Sequence, residues 1–204
     1  MFTGPSVSTV SSAKNIISVA SGETTFHSKD INNVAYYSSI GPAHDGRIKP
    51  DIVAPGDALL SASAHGTGGS TCATTEKSGT SMASPAAAGA AALIRQYFMN
   101  DKYWSAVCNP NYYECRAFPP TGVLMKALVL HSGTAMQLWN GDRDKIKLGD
   151  PPDIYQGYGR MFLQNLLPFP SSAMDLYVRD KVSLKQNSKK DYYLHIESSS
   201  HPIK

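Results

Sequence analysis

The sequence is poor in cysteine and in charge, and it has no long apolar run. Its 204 residues include three cysteines, too few for a small scaffold held by several disulfides. The net charge is +3, and the lysines and arginines are scattered without interleaved aromatic residues, which argues against nucleic-acid binding. The alanine-rich run at 82–94 is shorter than the roughly 18 residues that cross a bilayer, so we expect no membrane contact.

The chain does have the composition of a folded protein. Apolar residues make up 42% of it, which excludes a disordered segment. Its length suits one domain and part of another. Residues 1–10 lack a charged start followed by a long apolar core, so we expect no secretory signal there.

The most informative stretch is a Gly-Thr turn at residues 79–80, followed by Ser81 and an alanine-rich segment. Alanine content predicts a helix over 81–97, with Pro85 in its first turn, where a missing N–H has no carbonyl partner. The first N–H groups of a helix favour negative charge. Ser81 is therefore a candidate nucleophile whose own N–H faces the oxyanion. The residues alone fit equally well an alanine-rich core helix capped by a serine.

Three segments resemble motifs of the subtilisin-like serine peptidases, in the same order and at the same spacing. Residues 79–93 resemble the nucleophile motif, and residues 45–56 resemble the strand and turn that precede it. Residues 37–42 resemble the family's Phe-Ser-Ser-x-Gly-Pro stretch, with tyrosine in place of phenylalanine. A fourth segment, residues 155–161, resembles the Gln-Gly-x-Gly segment that closes the catalytic domain. The resemblance covers about residues 3–166 and implies an α/β fold, part of a subtilisin-like three-layer domain with a parallel sheet.

The resemblance also implies a serine endopeptidase. Ser81 would attack a carbonyl of a polypeptide substrate and form an acyl-enzyme, chemistry that requires no cofactor. In this family an aspartate, a histidine and an oxyanion-hole asparagine precede the serine, and their motifs do not occur in this sequence. We therefore expect the chain to need the upstream part of the catalytic domain and to be inactive alone. The alternative is a non-catalytic binding or pseudoenzyme module on the same scaffold.

Two residues resemble triad members but receive other interpretations. His65, followed by Gly66 and Thr67, is similar to the family's histidine segment. It lies only 81 − 65 = 16 residues before Ser81, in a variable loop, so we interpret it as a loop histidine. Asp51 precedes a buried strand and is interpreted as structural. Residues 4–12 are predicted to line part of the substrate pocket, because residues 13–20 resemble the strand that follows the family's pocket loop.

Periodicity and turn residues predict the remaining elements. Short strands are expected at 16–20, 35–39 and 52–54, and a second helix at 122–131, ended by Gly133. The buried face of that helix is predicted to comprise Val123, Leu124, Ala127, Leu128 and Leu130. Residues 57–78 and 139–153 are predicted to be loops.

We place a domain boundary near residues 167–172, where prolines and serines form a linker. Residues 1–168 are then the C-terminal portion of the catalytic domain. Residues 169–204 are a linker and the first strands, at 176–178 and 192–196, of a truncated β-sandwich that resembles one found after some catalytic domains of the family.

Three properties stay open at the level of sequence. Cys108 and Cys115 flank a tyrosine-rich turn and either pair in an oxidising compartment or remain free thiols, and Cys72 is left over. No spacing indicates a zinc site. The family's calcium sites, often made of carbonyl oxygens, allow a structural calcium ion at an unspecified position. Family members are commonly secreted or in vesicular compartments, so localisation is left undetermined.

Overall fold

The computed structural model describes residues 4–64, 73–108, 115–141, 145–170, 172 and 174–193. Within these residues a mixed sheet of seven strands is covered on one face by two helices. The strands of the sheet are β1 (Val19–Gly22), β2 (Asn33–Val34), β3 (Ile52–Pro55), β6 (Gly133–Thr134), β7 (Leu138–Asn140), β8 (Lys145–Lys147) and β9 (Arg160–Met161), in the order β6-β9-β3-β1-β2-β7-β8. β4 (Leu59–Ala62) and β5 (Thr74–Lys77) form a separate antiparallel pair. The helices are α1 (Thr80–Phe98) and α2 (Gly122–His131).

The centre of the sheet is parallel, with β3 between β1 and β9. Side chains alternate between its two faces, as the strand period of two requires. Ile52 and Ala54 pack on the helical face, whereas Ala20 and Val53 pack on the opposite face against Met136. Parallel strands joined through covering helices confirm the predicted α/β class.

Helix α1 lies against the sheet through its small residues. Ala83 and Ala87 are buried against Ala54, and this close approach explains why the segment is so rich in alanine. Further along, Ile94 and Phe98 enter an apolar cluster that contains Trp104. The helix extends one residue beyond the predicted 81–97 at each end.

One edge of β1 and one face of α1 have no partner in the described residues. Every residue of β1 pairs with β3 on one side, but only Gly22 pairs with β2 on the other. The backbone of Ser21 on that side is bonded to Ser38 Oγ and to the Ala35 N–H, which leaves Val19 without a strand partner there. On α1, residues 88–89 and 92–93 are exposed, with Leu93 55% exposed. Within the described residues, no helix is long and apolar enough to cross a membrane.

Helix α2 has the predicted bounds, Gly122–His131, and a well-formed N-terminus. The Thr121 hydroxyl oxygen accepts the N–H of Leu124 at 3.2 Å and donates to Asp180 Oδ1 at 2.6 Å. The Thr121 N–H donates to Asp180 Oδ2 at 2.8 Å. Hydrogen bonding to Thr121 lowers the pKa of the Asp180 carboxyl, although burial alone would raise it. Together with buried Val178, these bonds dock residues 176–180 on the domain.

Replacing Thr121 with alanine is expected to lower the free energy of unfolding by about 1–2 kcal/mol, because both the helix cap and a bond to Asp180 are lost. Urea unfolding followed by circular dichroism measures the change. Thr121→Ser keeps the hydroxyl and is the matched control. Equal stability of the two variants would contradict a capping role for Thr121.

Several predicted elements are wrong in extent or type. Residues 35–39 form a turn after β2, since the chain reverses direction there. The predicted loop 57–78 contains the β4–β5 hairpin, and the predicted loop 139–153 contains β8 and most of β7. β5 and β8 are short and mostly polar, so they lack the apolar pattern that predicts a strand, and pairing with β4 and β7 makes them strands.

The ends of the two helical segments also depart from expectation. Pro85 lies in the second turn of α1, so the Ser81 carbonyl loses an intrahelical bond that this residue would otherwise donate. Gly133 begins β6 rather than ending α2, and a Cβ on it would lie 1.9 Å from the Tyr158 carbonyl oxygen. Val123 and Ala127, both expected on the buried face of α2, are exposed, and Val123 is 83% exposed.

The C-terminal stretch contains no strand in its described residues. Residues 176–178 are not part of a strand, so that predicted strand is wrong. Tyr192 and Tyr193 are also outside strands, and residues 194–196 lie outside the described residues. The domain boundary and the assignment of 169–204 to a β-sandwich stay predictions. A disulfide joins Cys108 and Cys115, whose Cα atoms are 5.7 Å apart, and Cys72 lies outside the described residues.

Candidate active site

The predicted nucleophile Ser81 is the second residue of α1 and is exposed to solvent. Helix α1 begins directly after Gly79, which has φ +153° and ψ 161°. This backbone region is accessible almost only to glycine. The Gly-Thr turn predicted from sequence therefore exists, and it presents the Ser81 side chain at the amino end of a nineteen-residue helix.

Two of the first four N–H groups of α1 are available to a ligand in the described part of the chain. Met82 and Ala83 donate their N–H groups to the Gly79 carbonyl, at 2.9 and 3.3 Å. In the described part of the chain, no acceptor bonds to the N–H groups of Thr80 and Ser81. Unpaired N–H groups at the positive end of a helix dipole suit a developing oxyanion, as the sequence predicts.

The turn before Ser81 is held against the end of β3. The Gly79 N–H donates to the Gly56 carbonyl at 2.8 Å, and the Ala58 N–H donates to Ser78 Oγ at 2.8 Å. The two segments approach so closely that a Cβ on Gly56 would lie 2.8 Å from the Gly79 carbonyl oxygen. Two hydrogen bonds and a close backbone contact thus set the position of residues 78–79, just ahead of Ser81.

Behind this contact lies a buried carboxylate, Asp57, which is 4% exposed. Lys29 Nζ forms an ion pair with its Oδ2 atom. Burial alone would raise the pKa of Asp57, but hydrogen bonds from Lys29 and Ser78 outweigh it and hold the pKa below its usual range. The hydrogen bond to Asp57 raises the pKa of Lys29, and burial raises that of the neighbouring Tyr37. The pair is therefore fully charged near neutral pH.

Asp51, interpreted from sequence as structural, lies in a buried cluster of charges. Its Oδ2 atom accepts the Ser18 N–H at 2.7 Å and pairs with Lys49 Nζ, and Lys49 is 1% exposed. Lys126 Nζ reaches its Oδ1 atom at 3.2 Å. Its described partners lie just before β1, just before β3 and on α2, so the cluster holds these segments together, which agrees with a structural role.

The ammonium group of Lys126 occupies a small oxygen cage. It donates to the carbonyl oxygens of Lys14 and Ile16 at 2.9 and 2.8 Å, in addition to its contact with Asp51. Carbonyl and carboxylate oxygens are also the ligands that calcium prefers. In the described ranges no group of three or more His, Cys, Asp or Glu residues could hold a metal ion. The predicted structural calcium ion is untested and stays a prediction.

No described histidine is bonded to Ser81. His27 Nε2 lies 3.0 Å from Glu76 Oε1, and His44 and His131 are exposed elsewhere. His65 lies outside the described residues, so its interpretation as a loop histidine stays a prediction. The predicted pocket segment 4–12 bonds to Ile40 through Ser6, and its role in substrate binding also stays a prediction.

The comparisons with known proteins bear directly on this arrangement. Residues 3–159 match the Subtilase family. The chain belongs to the subtilase family. This is a family of serine peptidases, and the match contains all three motifs identified in the sequence as well as Ser81.

Individual relatives of this subtilase agree. Serine protease/ABC transporter B family protein tagD of Dictyostelium discoideum is 42% identical over 120 residues, which cover 54% of this chain and 6% of that protein. Serine protease/ABC transporter B family protein tagB, also of Dictyostelium discoideum, is 38% identical over 162 residues, which cover 69% of this chain and 8% of that protein. Pyrolysin of Pyrococcus furiosus is 44% identical over 61 residues, covering 30% of this chain and 4% of that protein. The chain thus spans less than a tenth of the length of these relatives.

Sequence patterns do not identify the distant residues that hold the segments around Ser81 and Asp51 in place. Lys29 and Asp57 are 28 positions apart, and Lys126 lies 110 positions from Ile16. No periodicity or motif connects residues at such separations. The one available signal was a charged residue, Asp57, directly after an apolar strand and a glycine.

Proposed function

We propose that this chain carries the nucleophile of a serine endopeptidase and that Ser81 forms the acyl-enzyme. The observation that carries the proposal is the exposed Ser81 at the start of α1, beside N–H groups that no described acceptor uses. Membership in a serine peptidase family supports it. The substrate is a polypeptide, and the chemistry needs no cofactor.

The proposed reaction follows from the position of Ser81. Its Oγ attacks the carbonyl carbon of a peptide bond while a histidine takes the hydroxyl proton, and an aspartate holds that histidine in the required tautomer. The carbonyl oxygen becomes an oxyanion that accepts the Ser81 N–H. The histidine then returns the proton to the leaving amine as the C–N bond breaks. Water hydrolyses the resulting ester by the same proton path and restores the serine.

We propose that the histidine, the aspartate and the oxyanion asparagine come from an upstream part of the catalytic domain. Three observations on the described residues favour this partner: no histidine lies beside Ser81, β1 has an open edge at Val19, and the face of α1 around Leu93 is exposed. An added strand would complete the hydrogen bonds of β1 and bury this face. Residues 1–204 alone are then inactive.

Two further proposals follow from the family. Its members are commonly secreted or vesicular, so we place the complete protein in such a compartment. The disulfide between Cys108 and Cys115 favours this placement, because disulfides persist in oxidising environments. A structural calcium ion is proposed for the complete domain, without assignment to particular residues.

A fluorophosphonate probe, which reacts with activated serines, tests the proposal. We expect the full-length protein to be labelled at Ser81, identified by mass spectrometry, and residues 1–204 alone to stay unlabelled. Ser81→Ala should abolish labelling, whereas Ser84→Ala, an exposed serine one turn later in α1, should not.

The two possible failures have different meanings. Labelling of Ser81 in residues 1–204 alone, with peptide hydrolysis, would show that the base lies within this chain. A folded full-length protein with an unreactive Ser81 would favour the non-catalytic binding module.

A further inference from the structure

The buried carboxylate of Asp57 has no part in the chemistry described above, yet it lies beside the nucleophile turn, residues 78–79, which precedes Ser81. It follows Gly56 at the carboxyl end of β3 and is 4% exposed. A buried carboxylate is unfavourable unless it is paired and hydrogen-bonded. Here Lys29 supplies the positive charge, and the Tyr37 hydroxyl lies 3.4 Å from Oδ1.

Tyr37 and Thr24 bind the backbone carbonyl groups of Gly56 and Asp57. The Tyr37 hydroxyl donates to the Gly56 carbonyl at 3.0 Å, and the Thr24 hydroxyl donates to the Asp57 carbonyl at 2.8 Å. Ser21 Oγ lies 2.9 Å from the Tyr37 hydroxyl. The backbone of residues 56–57 is thus held by Thr24, from the segment after β1, and by Tyr37, from the turn at 35–39. Tyr37 is itself contacted by Ser21 of β1.

This fixed segment is the surface on which the nucleophile turn rests. The Gly56 carbonyl that Tyr37 holds also accepts the N–H of Gly79, and the Ala58 N–H bonds to Ser78 Oγ. Residues 78 and 79 therefore take their position from residues 56–58. Ser81 follows two residues later, at the start of a rigid helix, so a shift of this contact moves its Oγ.

We propose that Asp57 is a positioning residue for Ser81: its carboxylate, paired with Lys29 and contacted by Tyr37, holds residues 56–58 in the place that sets residues 78–79. This inference rests on the proposed peptidase function. Asp57 does not touch substrate. It acts through the Gly56–Gly79 and Ala58–Ser78 hydrogen bonds, and Lys29 acts with it.

The test uses Asp57→Asn in the full-length protein, because asparagine keeps the shape and removes the charge that pairs with Lys29. We expect kcat for a peptide ester and the rate of fluorophosphonate labelling of Ser81 to fall by about 10- to 100-fold, with KM changed less than about threefold. A misplacement of about 1 Å reduces rates by roughly this factor. Rates are normalised to folded protein and measured well below the thermal midpoint.

Variants of Lys29 provide the second measurement, since this side chain is 38% exposed and tolerates change better than Asp57. Lys29→Met should lower kcat as Asp57→Asn does, and Lys29→Arg, which keeps the charge, should restore most of it. Asp45→Asn, which removes one partner of the exposed Asp45–Arg47 pair, is the control and should leave kcat unchanged.

Each outcome separates the two proposals. Normal labelling of Asp57→Asn and Lys29→Met overturns the positioning role and leaves the peptidase proposal intact. A rise in KM with unchanged kcat overturns it as well, because such a change indicates substrate binding. If wild-type Ser81 itself is unreactive in the folded full-length protein, the peptidase proposal fails and the positioning role fails with it.

Discussion

Replacing Gly56 with alanine is expected to be among the most damaging single-methyl changes in this domain. A Cβ at this position would lie 2.4 Å from Ser21 Oγ, 2.8 Å from the Gly79 carbonyl oxygen and 2.9 Å from Ala83 Cβ. Two of these neighbours belong to the turn before Ser81 and to α1, and neither can rotate away. We expect the free energy of unfolding to fall by at least about 3 kcal/mol, because a buried site that is overpacked must displace backbone.

Gly89→Ala is the matched control for Gly56→Ala. Gly89 lies within α1, and a methyl group added there would have nothing within 4 Å of it. Alanine should therefore raise the free energy of unfolding by about 0.5–1 kcal/mol through helix propensity. Urea unfolding of residues 1–204 measures both changes. A Gly56→Ala variant as stable as the wild type would show that β3 and α1 do not approach as closely as described.

Replacing Asp51 with alanine is expected to have a similarly large effect. The carboxylate holds Lys49, which is 1% exposed, together with Lys126 and the Ser18 N–H. Without it, the Lys49 ammonium is left buried with no described counter-charge. Removing one partner of a buried ion pair reduces stability by about 3–5 kcal/mol, and we expect a loss of this size in urea or thermal unfolding.

Asp45→Ala is the control for this prediction. Asp45 also pairs with a cation, Arg47 at 2.8 Å, but both side chains are solvated. Hydrogen bonding to Arg47 lowers the pKa of Asp45, yet exposed ion pairs contribute little to stability. The Asp45 variant should unfold close to the wild type. Equal effects of the two substitutions would mean that the Asp51 cluster is hydrated rather than buried.

The sequence predicts correctly those helices and strands whose caps, turns and apolar repeats lie within the element itself. Helix α2 has the predicted bounds because Thr121 caps its N-terminus and its apolar residues follow a helical repeat. Helix α1 differs by one residue at each end, and β3 by one residue at its end. The prediction that Ser81 begins a helix after a glycine turn came from a motif whose residue types are required by backbone geometry at Gly79.

Predictions from the sequence are wrong where the bounds of a strand or the burial of a side chain depend on residues far away in the chain. The expected strand at 16–20 lies at Val19–Gly22, because its extent is set by pairing with β3. The hairpin strand Thr74–Lys77 is polar and carries no strand pattern of its own. Val123 fits the apolar repeat of α2, yet it is exposed, since periodicity identifies a face without showing what covers it.

The amino-acid sequence by itself determined the family, the two helices and the serine presented at the start of α1, because each depends on residues that are neighbours along the chain. Only the tertiary structure decided that Lys29 neutralises Asp57, that Lys126 reaches Asp51, and that Gly56 must be glycine. These are contacts between segments far apart in sequence, where burial makes an unpaired charge or an extra methyl group unfavourable, and no local pattern records which segments will meet.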